Sequence, residues 1–295
     1  MFSLSRSCLH KVALGALATF FLSVDYGFSA PTKHEHMMLR FVSSDKIADR
    51  SHDFTEVSGL SLSENGGFWA VSDGAARLFS LDDAGKVQRK DSLRAVPGLE
   101  GVAFDASGGR ILAVREDTSE ILDLAQDGRV TRHPILAMQG AGSLAEHFAA
   151  TDANDGLEGI TIDPETGTVF VVKEREPRLL IEISPDLTQV LGIVPLTGSA
   201  GFVSDGAKDD RLDVSGLAWD GPRHGLWITS DTGQAIYFFC FATMKARGWA
   251  LMREAGGKSR RVENAEGVAL SLDGQTIFIV TDDGIDSRLL TYRID

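Results

Sequence analysis

Five times along the chain, an alternating apolar run opens on a polar residue followed by glycine, passes a turn, and returns as a second apolar run that closes on an acid. The copies are EVSGLSLSENGGFWAVSD from Glu56, GLEGVAFDASGGRILAVRE from Gly98, GLEGITIDPETGTVFVVKE from Gly156, DVSGLAWDGPRHGLWITSD from Asp213 and NAEGVALSLDGQTIFIVTD from Asn264. Two period-two runs around a Gly- and Asp-rich turn make an antiparallel hairpin. The opening glycines stand at 59, 101, 159, 216 and 267 and the closing acids at 73, 116, 174, 231 and 282. Four of these five gaps are 15 residues and the first is 14, while the repeat period itself drifts from 42 to 58 residues. The hairpin is therefore the fixed unit, and the connections between units vary.

Each repeat continues with further strand-like runs. These are ARLFSLD and KVQRKDSL, EILDL and GRVTRHPIL, RLLIEIS and QVLGIVPL, and AIYFFCFAT and WALMRE; the fifth repeat has RLLTYRID alone. Four strands per repeat, repeated radially, predict an all-β fold, a five-bladed β-propeller of four-stranded blades. A sixth blade stays open if the long segment Met138 to Asp155 hides strands. The run near Met38 to Val42 has no hairpin of its own, and the fifth blade lacks an outer strand. Pairing this run with RLLTYRID closes the ring and removes an exposed edge. Two other connections are long, Thr197 to Arg211 and Glu254 to Glu263, and SLAEHFAATD in the first has the pattern of a short helix. On this topology all three lie on the face where each first strand begins and each second strand ends, and that face is where loops can shape a site.

Forty-two acidic against 29 basic residues give a formal net charge of -13, which argues against nucleic acid or an anionic membrane surface as partner and favours a cation or cationic small molecule. Residues 1–30 carry Arg6 and Lys11, an apolar run from Val12 to Val24, and small residues around Ser29 and Ala30. This is the layout of a secretory signal peptide; the 13-residue run is short for a membrane span, and an uncleaved N-terminal anchor is the alternative. Export to the periplasm, with a membrane tether in the uncleaved case, is the expectation, and residues 31–295 form the propeller domain. His34 and His36 belong to a polar linker. Loss of Cys8 with the signal leaves Cys240 alone in an apolar run, a buried thiol.

The residue before each opening glycine is Ser58, Glu100, Glu158, Ser215 or Glu266, and the residue before each closing acid is Ser72, Arg115, Lys173, Ser230 or Thr281. Glu matches Arg or Lys in the second and third repeats, which reads as cross-strand ion pairing within a blade. Where Ser replaces Glu, an acid stands two residues earlier on the same side of the strand, Glu56 and Asp213. Every blade thus sends one carboxylate to the channel mouth: Glu56, Glu100, Glu158, Asp213 and Glu266. Converging carboxylates repel unless a cation, retained protons or inward-turned Arg115 and Lys173 offset them, and Ca2+ is the hard cation suited to such oxygens. The closing acids Asp73, Glu116, Glu174, Asp231 and Asp282 are read as structural, bonding backbone in the loops that follow. No HExxH or GxSxG motif and no zinc-type Cys/His spacing occurs, and AGGKS at 255–259 lacks the first glycine of a phosphate loop, so catalytic residues are unassigned.

The order of SG and EG hairpins, VSGL at Val57 to Leu60 and Val214 to Leu217, and KEREP at Lys173 to Pro177 resemble the SdiA-regulated family of bacterial envelope proteins. The resemblance implies an exported or membrane-tethered β-propeller with no catalytic residues to carry over. A weaker likeness, through Glu100-Gly101, Glu158-Gly159 and Glu266-Gly267, is to calcium-dependent propeller hydrolases such as lactonases and phytase-like esterases. Two readings of function follow. One is a noncatalytic envelope protein that binds a cation or small ligand at the acidic mouth, with an envelope protein as a further partner; the other is a calcium-dependent hydrolase using the same acids.

Overall fold

The computed structural model describes residues 37–64, 66–75, 77–92, 96–125, 127–149 and 155–295. The expected signal segment, His34 and His36 lie outside them. Blade 1 is built from β2 (Val57–Leu62), β3 (Phe68–Ser72), β4 (Arg77–Leu81) and β5 (Val87–Ser92), and blade 2 from β6 (Leu99–Asp105), β7 (Arg110–Arg115), β8 (Glu120–Leu124) and β9 (Val130–Pro134). Blade 3 comprises β10 (Leu157–Ile162), β11 (Val169–Lys173), β12 (Leu179–Ile183) and β13 (Val190–Pro195), and blade 4 comprises β14 (Leu217–Asp220), β15 (Gly225–Ser230), β16 (Ala235–Cys240) and β17 (Lys245–Ala250). A two-stranded ribbon, β18 (Met252–Ala255) with β19 (Lys258–Arg261), follows. Blade 5 holds β20 (Ala265–Leu270), β21 (Thr276–Thr281) and β22 (Arg288–Ile294), completed on its outer edge by β1 (Leu39–Lys46). The ring is a five-bladed propeller of four-stranded antiparallel blades, closed by its N-terminal strand as expected.

The closure rests on a ladder from Leu39↔Ile294 to Lys46↔Arg288 and on the edge-on packing of Phe41 against Tyr292, with ring centroids 5.8 Å apart. No sixth blade occurs among the described residues. The 138–155 connection instead carries the expected helix, α1 (Leu144–Ala149). The connection from Glu254 differs from expectation. Gly256 and Gly257 take φ of +60° and +71°, a turn that folds the segment back on itself as a hairpin, so Met252–Glu254 leave blade 4 and its outer strand ends at Ala250.

Alternation explains the core. Side chains on the two faces of each blade pack against the two neighbouring blades, and the apolar core divides into layers between them, such as Leu112, Val171 and Ile181 between blades 2 and 3 and Trp227, Ile279 and Leu290 between blades 4 and 5. Two hydroxyls add polar ties across these layers: Ser61 Oγ accepts from Phe104 N–H at 3.0 Å and Thr161 Oγ1 from Trp219 N–H at 3.1 Å. Cys240 is a buried free thiol.

Candidate functional site

The five opening glycines form the throat of the central channel. An added Cβ on Gly59 would meet the Glu100 carbonyl oxygen at 2.8 Å, and one on Gly159 the Ser215 carbonyl oxygen at 2.5 Å; Gly101, Gly216 and Gly267 abut the next inner strand in the same way. Only glycine lets five backbones approach this closely. The remaining void is about 10 Å3, room for one water. Beyond the throat, on the face of the hairpin turns, opens a cavity of about 470 Å3 walled by Leu62, Phe104, Ile162, Trp219 and Leu270, one from each inner strand. The opposite mouth is acidic.

At the acidic mouth four of the five inner strands, all but β14, slip their register. Leu99, not Glu100, faces Arg115; Leu157, not Glu158, faces Lys173; and Ala265 faces Thr281. In those four blades the residue before the glycine, Ser58, Glu100, Glu158 or Glu266, sits at the bulge, which frees its side chain from the ladder. The cross-strand ion pairs expected for Glu100 with Arg115 and Glu158 with Lys173 are therefore not formed. Arg115 pairs with Asp117 at 2.8 Å, and the fully buried Lys173 donates to the backbone carbonyls of Asp155, at 2.8 Å, and Arg175.

Three of the five expected carboxylates are raised by burial and by neighbouring acids. Burial, with Asp73 and Glu116 nearby, pushes Glu100 up to about 8, although Ser58 bonds it. Glu158 is raised well above the usual range by burial and then by Glu100 and Glu266. Glu266 is raised by burial, Asp231, Asp213 and Glu100. All three are half-buried, yet the surrounding protein removes most of their hydration, and that loss dominates. The other two acids sit differently. Asp213 is buried and spent within its blade, accepting from Ser230 Oγ at 2.7 Å and Thr232 N–H at 3.0 Å. Glu56 is exposed and lies over Gly74.

The tightest grouping among the described residues takes one member from the expected five and two closing acids: Glu116, Glu158 and Glu174 bring one carboxylate oxygen each within 4.8 Å of one another. Glu174 is pushed up to about 8 by burial, against the lowering effect of Arg175 at 3.3 Å. Burial raises Glu116 while the N–H of Gly156, 3.2 Å away, lowers it. Asp231 likewise accepts from Asn264 N–H at 2.6 Å, so Glu116 and Asp231 bond backbone just before the first strand of the next blade, while Asp282 accepts from Gly284 N–H at 3.2 Å in the loop that follows it, as expected. The sequence held a signal for the two that group with Glu158. Blades 2 and 3 close on Glu where the other three close on Asp, a side chain longer by one methylene. Lys173, beside this group, is lowered to about 8 by burial.

A family model described as SdiA-regulated matches residues 40–283. The chain belongs to the SdiA-regulated family. Among solved structures it is similar to a glutaminyl cyclase from Myxococcus xanthus, at 14% identity and a TM-score of 0.58, covering 87% of this chain and 96% of that one. It is similar also to a gluconolactonase from Xanthomonas campestris, at 12% identity and a TM-score of 0.50 over 82% and 86% of the two chains. A virginiamycin B lyase from Staphylococcus aureus matches at 14% identity and a TM-score of 0.44 over 80% of this chain, which spans 66% of the lyase. These likenesses are in fold.

Proposed function

We propose that the acidic mouth is a binding site for a divalent cation, with Ca2+ the best fit, or for a small cationic ligand, and that the protein serves the bacterial envelope as a binding component rather than a catalyst. What carries this reading is the Glu116, Glu158 and Glu174 grouping, with Glu100 and Glu266 adjoining it. Three hard oxygens so close together are stable only when protonated or when a cation shares them. Glu116, Glu158 and Glu174 would hold the ion, which would supply the positive charge that burial denies them. Arg175 offsets part of the charge on Glu174 and competes with the ion. Export and a location in the periplasm belong to this proposal. A calorimetric titration of the full chain with calcium tests it: saturable binding without turnover of esters or lactones is the expected result, and no heat with calcium or any other divalent ion sinks the site.

The second reading, a calcium-dependent hydrolase, draws on a different observation. Glu100 and Glu174 both titrate near 8, where a carboxyl can pass a proton at neutral pH. A panel of lactones and esters run on the same calcium-loaded sample separates the two. Turnover abolished by a chelator selects the hydrolase.

A further inference from the structure

The net charge of -13 conceals a local basic face. In the β18–β19 ribbon, Arg253 faces Arg260 and Ala255 faces Lys258 across the ladder. Strand alternation puts Arg253, Lys258 and Arg260 on one side of the ribbon, and Glu254 and Arg261 on the other. Arg261 is held by Asp205 at 2.8 Å. No ion pair or side-chain hydrogen bond to Arg253, Lys258 or Arg260 is formed among the described residues; Lys258 and Arg260 are exposed and Arg253 is half-buried. Like charges set directly opposite on a two-stranded ribbon oppose its formation, and an external anion between them removes that cost.

Position selects the anion. The ribbon packs against β1, the strand by which the chain enters the propeller. Met37 is pinned beside it by the Trp249 indole N–H at 3.2 Å, and Met38 and Val42 on this stretch are 67% and 48% exposed. Thirty-six residues precede Met37, and they include the apolar run Val12 to Val24. Exposed apolar side chains next to a basic face match the interfacial region of a bilayer. Each surface charge is felt over only about 8 Å at physiological salt, so the ribbon meets a membrane as a local cation despite the acidity of the whole chain.

We propose that the β18–β19 ribbon docks the propeller on an anionic bilayer surface, with Arg253, Lys258 and Arg260 taking lipid phosphates. The proposal stands apart from cation binding at the acidic mouth, and the test is run in chelator so that calcium cannot bridge acid to lipid. Flotation of the full chain with phosphatidylcholine vesicles, with and without phosphatidylglycerol, measures the gain due to the anionic lipid. That comparison cancels any insertion of the N-terminal segment, which both vesicles share. The wild type should gain affinity on the anionic vesicles, and the gain should fall as salt rises. The triple variant Arg253→Gln, Lys258→Gln, Arg260→Gln should lose about a hundredfold, three charges at about fivefold each, with binding to neutral vesicles unchanged and melting temperature not lowered. The triple Glu variant, which reverses the charges, should lose more than the Gln variant. No gain in the wild type, or an equal gain in the Glu variant, overturns the proposal; so does retention on duplex DNA at physiological salt in place of the vesicle gain.

Discussion

Glu158 is the residue on which both groups of acids converge, since it belongs to the close trio with Glu116 and Glu174 and also feels Glu100 and Glu266. Glu158→Gln keeps the shape and removes the charge. With calcium at a hundred times its Kd, binding stabilises the wild type by about 2.7 kcal/mol, and a tenfold loss of affinity leaves about 1.4 kcal/mol. The variant should therefore show roughly half the calcium-dependent rise in stability, and in chelator it should be as stable as the wild type or more so. Glu56→Gln, on an exposed side chain, should change neither quantity by more than about 0.5 kcal/mol. Thermal melts of the three proteins decide it; equal calcium responses in Glu158→Gln and the wild type would remove Glu158 from the site. At this scale the sequence was half legible. Repetition located Glu100, Glu158 and Glu266, because one carboxylate per blade at a fixed place is visible as a pattern. The partners of Arg115 and Lys173 were not visible, because a single-residue bulge shifts the register without altering the alternation on which a pairing argument relies. Asp213 was placed at the mouth by the same alternation but is consumed by Ser230 and Thr232, a local hydrogen-bond choice that spacing does not encode.

Blades and their closure were the most legible part, since hairpin turns, strand periodicity and the missing outer strand of the fifth repeat are each local signals. The strand register that β1 adopts along β22 then follows from burying Met37 and packing Phe41 on Tyr292. Removing residues 1–46 leaves β22 as a bare edge and strips these side chains from the blade 5 core, at about 1.5–3 kcal/mol for each one lost. The whole ring should lose cooperative unfolding, as followed by circular dichroism; an unchanged melting temperature would mean that β1 is only an appendage. The contact between blades makes its own demand. Gly101→Ala drives a methyl into the Glu158 carbonyl and, 3.1 Å away, the Ile160 amide, both backbone and unable to yield. It should destabilise by about 1–3 kcal/mol or more, whereas Gly142→Ala, with nothing within 4 Å, should stay within about 0.5 kcal/mol. The ribbon escaped sequence reading for a related reason. Its strands are four residues each and largely polar, so they carry no apolar alternation, and the two glycines at the tip serve a hairpin turn as readily as an open loop.

The propeller divides its surface by charge and polarity, with an acidic mouth and an apolar mouth at the two ends of a throat too narrow to connect them, and a basic ribbon on its side. The acidic end should make stability depend on pH in a direction opposite to that of proteins held together by ion-paired carboxylates. Glu100 and Glu174 titrate near 4.5 in an unfolded chain and near 8 in the folded one, with burial the main cause in both. Between those values the native state holds protons that the unfolded state has released. Their contribution is fully present below about 4.5 and is lost as pH rises through 8, so in chelator the melting temperature should fall across this window. A bound cation takes the place of the protons. Calcium should consequently stabilise little near pH 5 and most near pH 8, and titration at pH 7 should release protons, seen as a binding enthalpy that changes with the ionisation enthalpy of the buffer. Stability in chelator that is flat from pH 5 to 8 would mean that these carboxyls are already ionised and solvated in the folded protein. A calcium response independent of pH, with no proton release, would place the ion away from Glu158 and its neighbours.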